Sequence, residues 1–131
     1  MRRPFRRLAF LLALLAAHAA PARAGWSSIG DVSAVEPLAQ GVLLRAGESA
    51  VAATALSPQI LRLRYAPDGR FPREHSWAVV RRDFGPVDAQ VIEAADHVDL
   101  LTSGLRLRVE RAPLRLRVLD SDGRRLVVDD A

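Results

Sequence analysis

The sequence predicts an all-β domain, an antiparallel β-sandwich, and three observations carry that prediction. Apolar and charged residues alternate along several segments. Turn residues separate those segments at short intervals. No stretch beyond residue 24 shows a 3.6-residue apolar period of helical length. Leu105, Leu107 and Val109 alternate with Arg106, Arg108 and Glu110. Leu114, Leu116 and Val118 alternate with Arg115 and Arg117, and Leu61, Leu63 and Tyr65 with Arg62 and Arg64. Successive side chains of a strand point to opposite faces, so each segment is expected to bury its aliphatics and solvate its arginines.

In chain order the expected strands are residues 32–36, 41–46, 48–55, 61–65, 77–80, 90–94, 97–102, 105–110, 114–119 and 126–129. The third is Ala-rich from Val51 to Leu56, and its period alone fits strand or helix. Between strands stand Pro67-Asp68-Gly69, Ser103-Gly104, Ala112-Pro113 and Asp122-Gly123. Asp-Gly supplies the positive φ that a tight hairpin requires. About ten short strands at this spacing are the pattern of a sandwich. The segments 66–77 and 81–86 lack the alternation and are expected loops, where binding residues tend to lie.

The first 24 residues have a different design. Arg2, Arg3, Arg6 and Arg7 precede an apolar run from Leu8 to Ala20, interrupted by His18, and then Pro21-Ala22-Arg23-Ala24. A basic start, an apolar middle and small residues at Ala22 and Ala24 make a helical signal peptide cleaved after Ala24. The apolar run covers 13 positions, fewer than the roughly 20 a spanning helix needs. No membrane attachment is therefore expected after cleavage, and the product is expected in the periplasm or outside the cell. Arg2-Arg3-Pro4-Phe5-Arg6 also resembles a twin-arginine signal, although the leucine-rich run suits the general secretion route.

Cleavage changes the charge. Of 19 basic residues, all arginine, five lie in residues 1–24, leaving 14 against 15 acids in residues 25–131. The basic character belongs to the leader, so the arginine faces are expected to be solvated sheet surface, with no nucleic-acid partner. The 107 residues after the leader suffice for one domain. With no cysteine, thiol nucleophiles and zinc-thiolate sites are excluded.

Few residues point to chemistry. His75 and His97 are the histidines of the exported part, and neither has a His-x-x-x-His or carboxylate cluster beside it. Asp96 and His97 are expected on opposite faces of a strand, so with Asp99 they make a poor metal site. There is no Gly-x-Ser-x-Gly elbow, and Asp83-Phe84-Gly85 spells a kinase motif without the accompanying loops. Asp129 and Asp130 are neighbours in a strand and cannot flank a glycosidic bond. A sugar-stacking role falls to Trp77 in preference to Trp26, because Trp77 adjoins the irregular segment. No metal and no cofactor is expected.

Three segments together resemble a known family. They are Ser57-Pro58-Gln59-Ile60-Leu61-Arg62-Leu63-Arg64-Tyr65-Ala66-Pro67-Asp68-Gly69, the stretch from Val98 through Thr102-Ser103-Gly104 to Val109, and Pro113-Leu114-Arg115-Leu116-Arg117-Val118-Leu119-Asp120-Ser121-Asp122-Gly123 with Arg124-Arg125-Leu126. In order and spacing they resemble the N-terminal, galactose-mutarotase-like β-sandwich of glycoside hydrolase family 31, the α-glucosidase and α-xylosidase family. The resemblance runs from about Val32 to Asp130. It implies a sandwich that packs on a catalytic (β/α)₈ barrel of the same chain, in a retaining enzyme acting on α-linked oligosaccharides.

No Trp-x-Asp-Met-Asn-like segment is present, and 107 residues cannot hold a barrel of about 250. No catalytic residue can therefore be carried over, and the sandwich is expected to be incomplete and inactive alone. In the family a loop of this domain can edge the active-site mouth. That role would fall on residues 69–77, with Phe71, His75 and Trp77 as the sugar-contacting side chains. Two other readings remain. One is a free-standing secreted carbohydrate-binding module. The other is a mutarotase-like enzyme, which would need a His–Glu pair from His75 or His97 and Glu74 or Glu93.

Overall fold

A computed structural model describes residues 28–73 and 84–129. They form nine strands: β1 (Ala34–Leu38), β2 (Gly41–Ala46), β3 (Ser49–Ser57), β4 (Ile60–Ala66), β5 (Gln90–Glu93), β6 (His97–Leu101), β7 (Leu105–Arg111), β8 (Leu114–Asp120) and β9 (Arg125–Val128). No helix occurs among the described residues. The expected strand at 77–80 and the leader, with Ala22 and Ala24, lie outside them.

The strands make two antiparallel meanders, β1-β2-β3-β4 and β5-β6-β7-β8-β9. Directly paired residues share a face, so the register assigns each sheet its inner surface. In the first sheet it carries Val42, Leu44 and Ala46 of β2, Val51, Ala53 and Ala55 of β3, and Leu61, Leu63 and Tyr65 of β4. In the second it carries Val98 and Leu100 of β6, Leu107 and Val109 of β7, and Leu114, Leu116 and Val118 of β8. The two surfaces meet in one apolar cluster centred on Val42, Leu44, Val98, Leu100, Leu107 and Val109, all essentially inaccessible to solvent. The Ala-rich segment becomes a strand because it is held between β2 and β4, whose partners supply the ladder its own period leaves undecided.

The ends of the sandwich are tied by hydrogen bonds between the sheets. The Thr102 hydroxyl donates to the Pro58 carbonyl at 2.7 Å, joining the β3–β4 turn to the end of β6. The Val32 N–H donates to the Arg111 carbonyl and the Leu114 N–H to the Gly30 carbonyl, at 2.7 and 2.8 Å, so the chain entering β1 is strapped to the β7–β8 turn. That turn is Ala112-Pro113, with a cis peptide bond.

The β8–β9 turn differs from the expected Asp-Gly geometry. Only Gly123 takes a positive φ (81°). The turn is held by Asp120, whose Oδ1 accepts from the Asp122 and Arg124 N–H groups at 2.9 and 2.8 Å. A short carboxylate doing this work removes the need for Asp122 to enter the left-handed region.

The alternation rule holds in β7, where Leu107 and Val109 are buried, and is overturned in β4. There Leu63 and Tyr65 lie on the inner face but are 43% and 55% exposed, while Arg62 and Arg64 are partly covered. β4 is an edge strand, and it lies across from β7, so β8 and β9 extend past it. Among the described residues the inner surface therefore continues beyond its cover on both sheets at this side.

Candidate functional site

Chain reversal after β4 is set by Ala66-Pro67-Asp68-Gly69. The Gly69 N–H donates to the Ala66 carbonyl at 3.1 Å, and Asp68 Oδ1 accepts from the Arg70 N–H at 3.2 Å. Gly69 has φ 70°, and a Cβ there would come within 2.8 Å of the Glu48 carbonyl oxygen. The Ser49 hydroxyl fastens this turn to the β2–β3 hairpin by donating to the Pro67 carbonyl at 3.1 Å. The returning chain then lies against β4. The Arg64 guanidinium sits 4.8 Å from the centre of the Phe71 ring and donates to the Pro72 carbonyl at 2.9 Å.

Phe71 is thus placed on the outer face of the first sheet, because Arg64 pairs with Ala52 and points away from the core. One ring face is occupied by the guanidinium, a cation–π contact that fixes the loop. His75 and Trp77, the other expected sugar-contacting residues, lie outside the described residues.

The outer face of the second sheet carries a charge cluster. Arg108 donates from Nε and Nη2 to the two carboxylate oxygens of Asp99, both at 2.8 Å. This fork-to-fork pairing holds the Asp99 carboxyl below the usual carboxylate range, against the opposing effect of burial. His97 Nε2 is 3.8 Å from Asp99.

Contrary to the sequence expectation, Asp96 and His97 meet. His97 Nδ1 and Asp96 Oδ1 are 2.7 Å apart, and this bond lowers the Asp96 pKa. Asp96 belongs to the turn before β6, where strand alternation does not apply.

Chemically the cluster is self-satisfied. Asp99 is committed to Arg108, and among the described residues no group of three or more His, Cys, Asp or Glu side chains could hold a metal ion. A His–Glu acid–base pair is not assembled from His97 and Glu93 either. His97 shares the outer face with Glu110, whereas Glu93 pairs with Val98 on the inner face and its carboxylate binds Arg111 at 2.9 Å. The arginine faces are broken by acids in the same way, with Arg108 bound to Asp99 and Arg117 to Glu110.

A fragment of a larger enzyme is expected to expose an apolar face where the barrel and the missing strands pack. Leu63 and Tyr65 on β4 and Val127 on β9 continue the two inner faces and are exposed, as are Ile60, Leu126 and Val128 elsewhere on these strands. All of β9 is exposed. Exposed apolar side chains on the inner faces of a sandwich mark a place where further chain packs. A depression of about 350 Å³ lies between the β6–β7 and β8–β9 turns, lined by Thr102, Ser103, Arg106 and Asp122 among others.

The architecture has relatives. The chain superposes with a TM-score of 0.74 on the GH31 dextranase of Flavobacterium johnsoniae solved with glucose, at 26% identity over 81% of this chain and 13% of that one. For the GH31 α-xylosidase of Xanthomonas citri the TM-score is 0.62, at 26% identity over 74% of this chain and 11% of that one. The cycloalternan-forming enzyme of Listeria monocytogenes, solved with a pentasaccharide, shares the fold at 19% identity and a TM-score of 0.62, over 78% of this chain and 9% of that one. The chain thus spans about a tenth of the length of these enzymes. No curated protein sequence matches it. Residues 50–131, more than half of the chain, match the model of the glycosyl hydrolase 31 N-terminal galactose mutarotase-like domain, and the chain belongs to that family.

Proposed function

We propose that this chain is the non-catalytic N-terminal domain of an exported retaining α-glycosidase. There it braces the (β/α)₈ barrel of the same polypeptide and shapes the entrance for an α-linked oligosaccharide. Residues 1–24 serve as the export signal and residues 25–131 as the domain, which works in the periplasm or outside the cell. The observation that carries this reading is the uncovered inner surface of Leu63, Tyr65 and Val127 in a chain of this family. A sandwich left open on one side has an apolar face ready for the remainder of a larger enzyme. The loop that begins at Gly69 and runs past Phe71 toward His75 and Trp77 is the segment assigned to the entrance, with Arg64 bracing its first half.

Asp99 and Glu93 are both bound to arginines, and the proposed catalytic residues lie in the barrel. The purified chain is therefore expected to leave p-nitrophenyl α-glucoside intact. Turnover that follows the chain through purification and falls on mutation of its own carboxylates would refute the assignment.

A further inference from the structure

The depression between the β6–β7 and β8–β9 turns has firm walls, because each turn is folded by one of its own side chains. Thr102 Oγ1 accepts from the Gly104 and Leu105 N–H groups at 3.3 and 2.9 Å, and the same hydroxyl donates to Pro58 on the facing sheet. A Cβ at Gly104 would come within 2.8 Å of the Pro58 carbonyl oxygen, so this wall rests directly on the β3–β4 turn. The other wall is held by Asp120 through the Asp122 and Arg124 N–H groups, and the Gly123 N–H donates back to the Asp120 carbonyl at 3.1 Å. The floor is one row of the outer sheet face, in which Leu101, Arg106 and Leu119 stand side by side across β6, β7 and β8. Every lining residue lies between Leu101 and Gly123, so no wall is the outer edge of a sheet. The volume of about 350 Å³ falls within the range of small-ligand sites, roughly 300–1,000 Å³.

The uncommitted groups of the lining decide what it can take. Among the described residues, the Ser103 and Ser121 hydroxyls, the Asp122 carboxylate and the Arg106 guanidinium make no hydrogen bond, and all four residues are exposed. On the same sheet face Arg108 is bound to Asp99 and Arg117 to Glu110, so Arg106 differs from those neighbours. A carboxylate accepts from two hydroxyls, a guanidinium donates to two oxygens, and a serine does either. An anion would meet Asp122, a cation would meet Arg106, and a wholly apolar ligand would leave both charges unpaired. A neutral ring with adjacent hydroxyls satisfies both charges and lays its C–H surface on the leucines.

We infer that this depression is a saccharide-binding subsite, in which Arg106 and Asp122 hold adjacent hydroxyls of one sugar unit over Leu101 and Leu119. It is separate from the entrance loop. β4 runs from Ile60, beside the turn that Thr102 grips, to Ala66, where the chain turns into that loop. Seven strand residues, about 20 Å, lie between the two ends. The site rests on its lining; only the choice of α-linked glucose oligosaccharides as probes rests on the assignment to an α-glycosidase.

Titration of the purified, nitrogen-15-labelled chain with isomaltotriose and maltotriose, followed by amide chemical shifts, tests it. A few polar contacts on a small aliphatic floor, with no aromatic ring, correspond to a dissociation constant of about 1–10 mM. Saturable shifts are expected at Ser103, Arg106, Ser121 and Gly123, with Phe71 unmoved. Arg106→Ala and Asp122→Ala are each expected to weaken binding about tenfold. Arg115→Ala, on the same sheet face but outside the depression, is expected to bind as the parent chain does. The spectrum of each variant shows directly whether the fold is kept. No saturable shift with either sugar up to about 50 mM overturns the inference. So do shifts that appear with inorganic phosphate and not with the sugars, and sugar shifts confined to Phe71 and its neighbours. The assignment to a glycosidase stands apart from a failed titration, because it is read from the gene downstream of Ala131.

Discussion

Gly41→Ala is expected to be the most damaging single substitution in the domain. Gly41 opens β2, stands opposite Thr54 of β3 and is buried. A Cβ at this position would lie 2.0 Å from the Ala53 carbonyl oxygen and 2.9 Å from the Thr54 Cα. Both atoms belong to the backbone of a strand held on two sides, and no side-chain rotation relieves the clash. Overpacking a core with extra methylenes costs about 1–3 kcal/mol. A collision with fixed backbone belongs at the top of that range, about 3 kcal/mol or more, a large share of the stability of a small domain. Gly47→Ala is the control. Its φ of 57° disfavours alanine, but nothing lies within 4 Å of the new Cβ, so a loss of about 1 kcal/mol is expected. Urea denaturation followed by circular dichroism separates the two. A midpoint for Gly41→Ala equal to that of the parent chain would mean that β2 and β3 are not paired in this register.

The second large effect concerns Asp99. Its side chain is 7% exposed and its charge is balanced by Arg108, itself 35% exposed. Arg108→Met leaves a carboxylate in a poorly solvated place, a change that costs about 3–5 kcal/mol for a fully buried pair. Solvent reaches Arg108, so about 2 kcal/mol is expected here.

The pH dependence has a definite sign. Because the folded-state pKa of Asp99 is depressed by Arg108, the pair's stabilisation is full above the unfolded carboxyl value near pH 4 and is lost as pH falls through the lower folded value. In Arg108→Met the largest effect lowering the Asp99 pKa is gone, and burial favours the neutral acid against the weaker pull of His97 and Arg106. The gap between variant and parent should therefore be widest at pH 7 and narrow below about pH 4. The double variant Asp99→Leu with Arg108→Met should recover most of the loss at pH 7, since no unpaired charge remains. Equal destabilisation at pH 7 and pH 3 would remove the electrostatic explanation.

These effects show where the sequence was legible. The alternation of Leu105, Leu107 and Val109 with charged residues marked β7 and its buried face, because β7 is the middle strand of its sheet and covered as the rule assumes. The same alternation in Leu61, Leu63 and Tyr65 marked the strand and misjudged its exposure. The period reports which side chains share a face, and whether anything covers that face depends on strands elsewhere in the chain. Asp96 and His97 were misjudged because strand geometry was extended one residue into a turn. Of the residues proposed for the entrance, Phe71 is held by Arg64, a partner seven residues back, and His75 and Trp77 lie outside the described residues.

The most direct test of the assignment is to sequence the coding DNA downstream of the codon for Ala131. The same reading frame should continue into the rest of the sandwich and then a (β/α)₈ barrel bearing an aspartate nucleophile. A stop codon in the native gene at that point would contradict the reading as a glycosidase N-terminal domain.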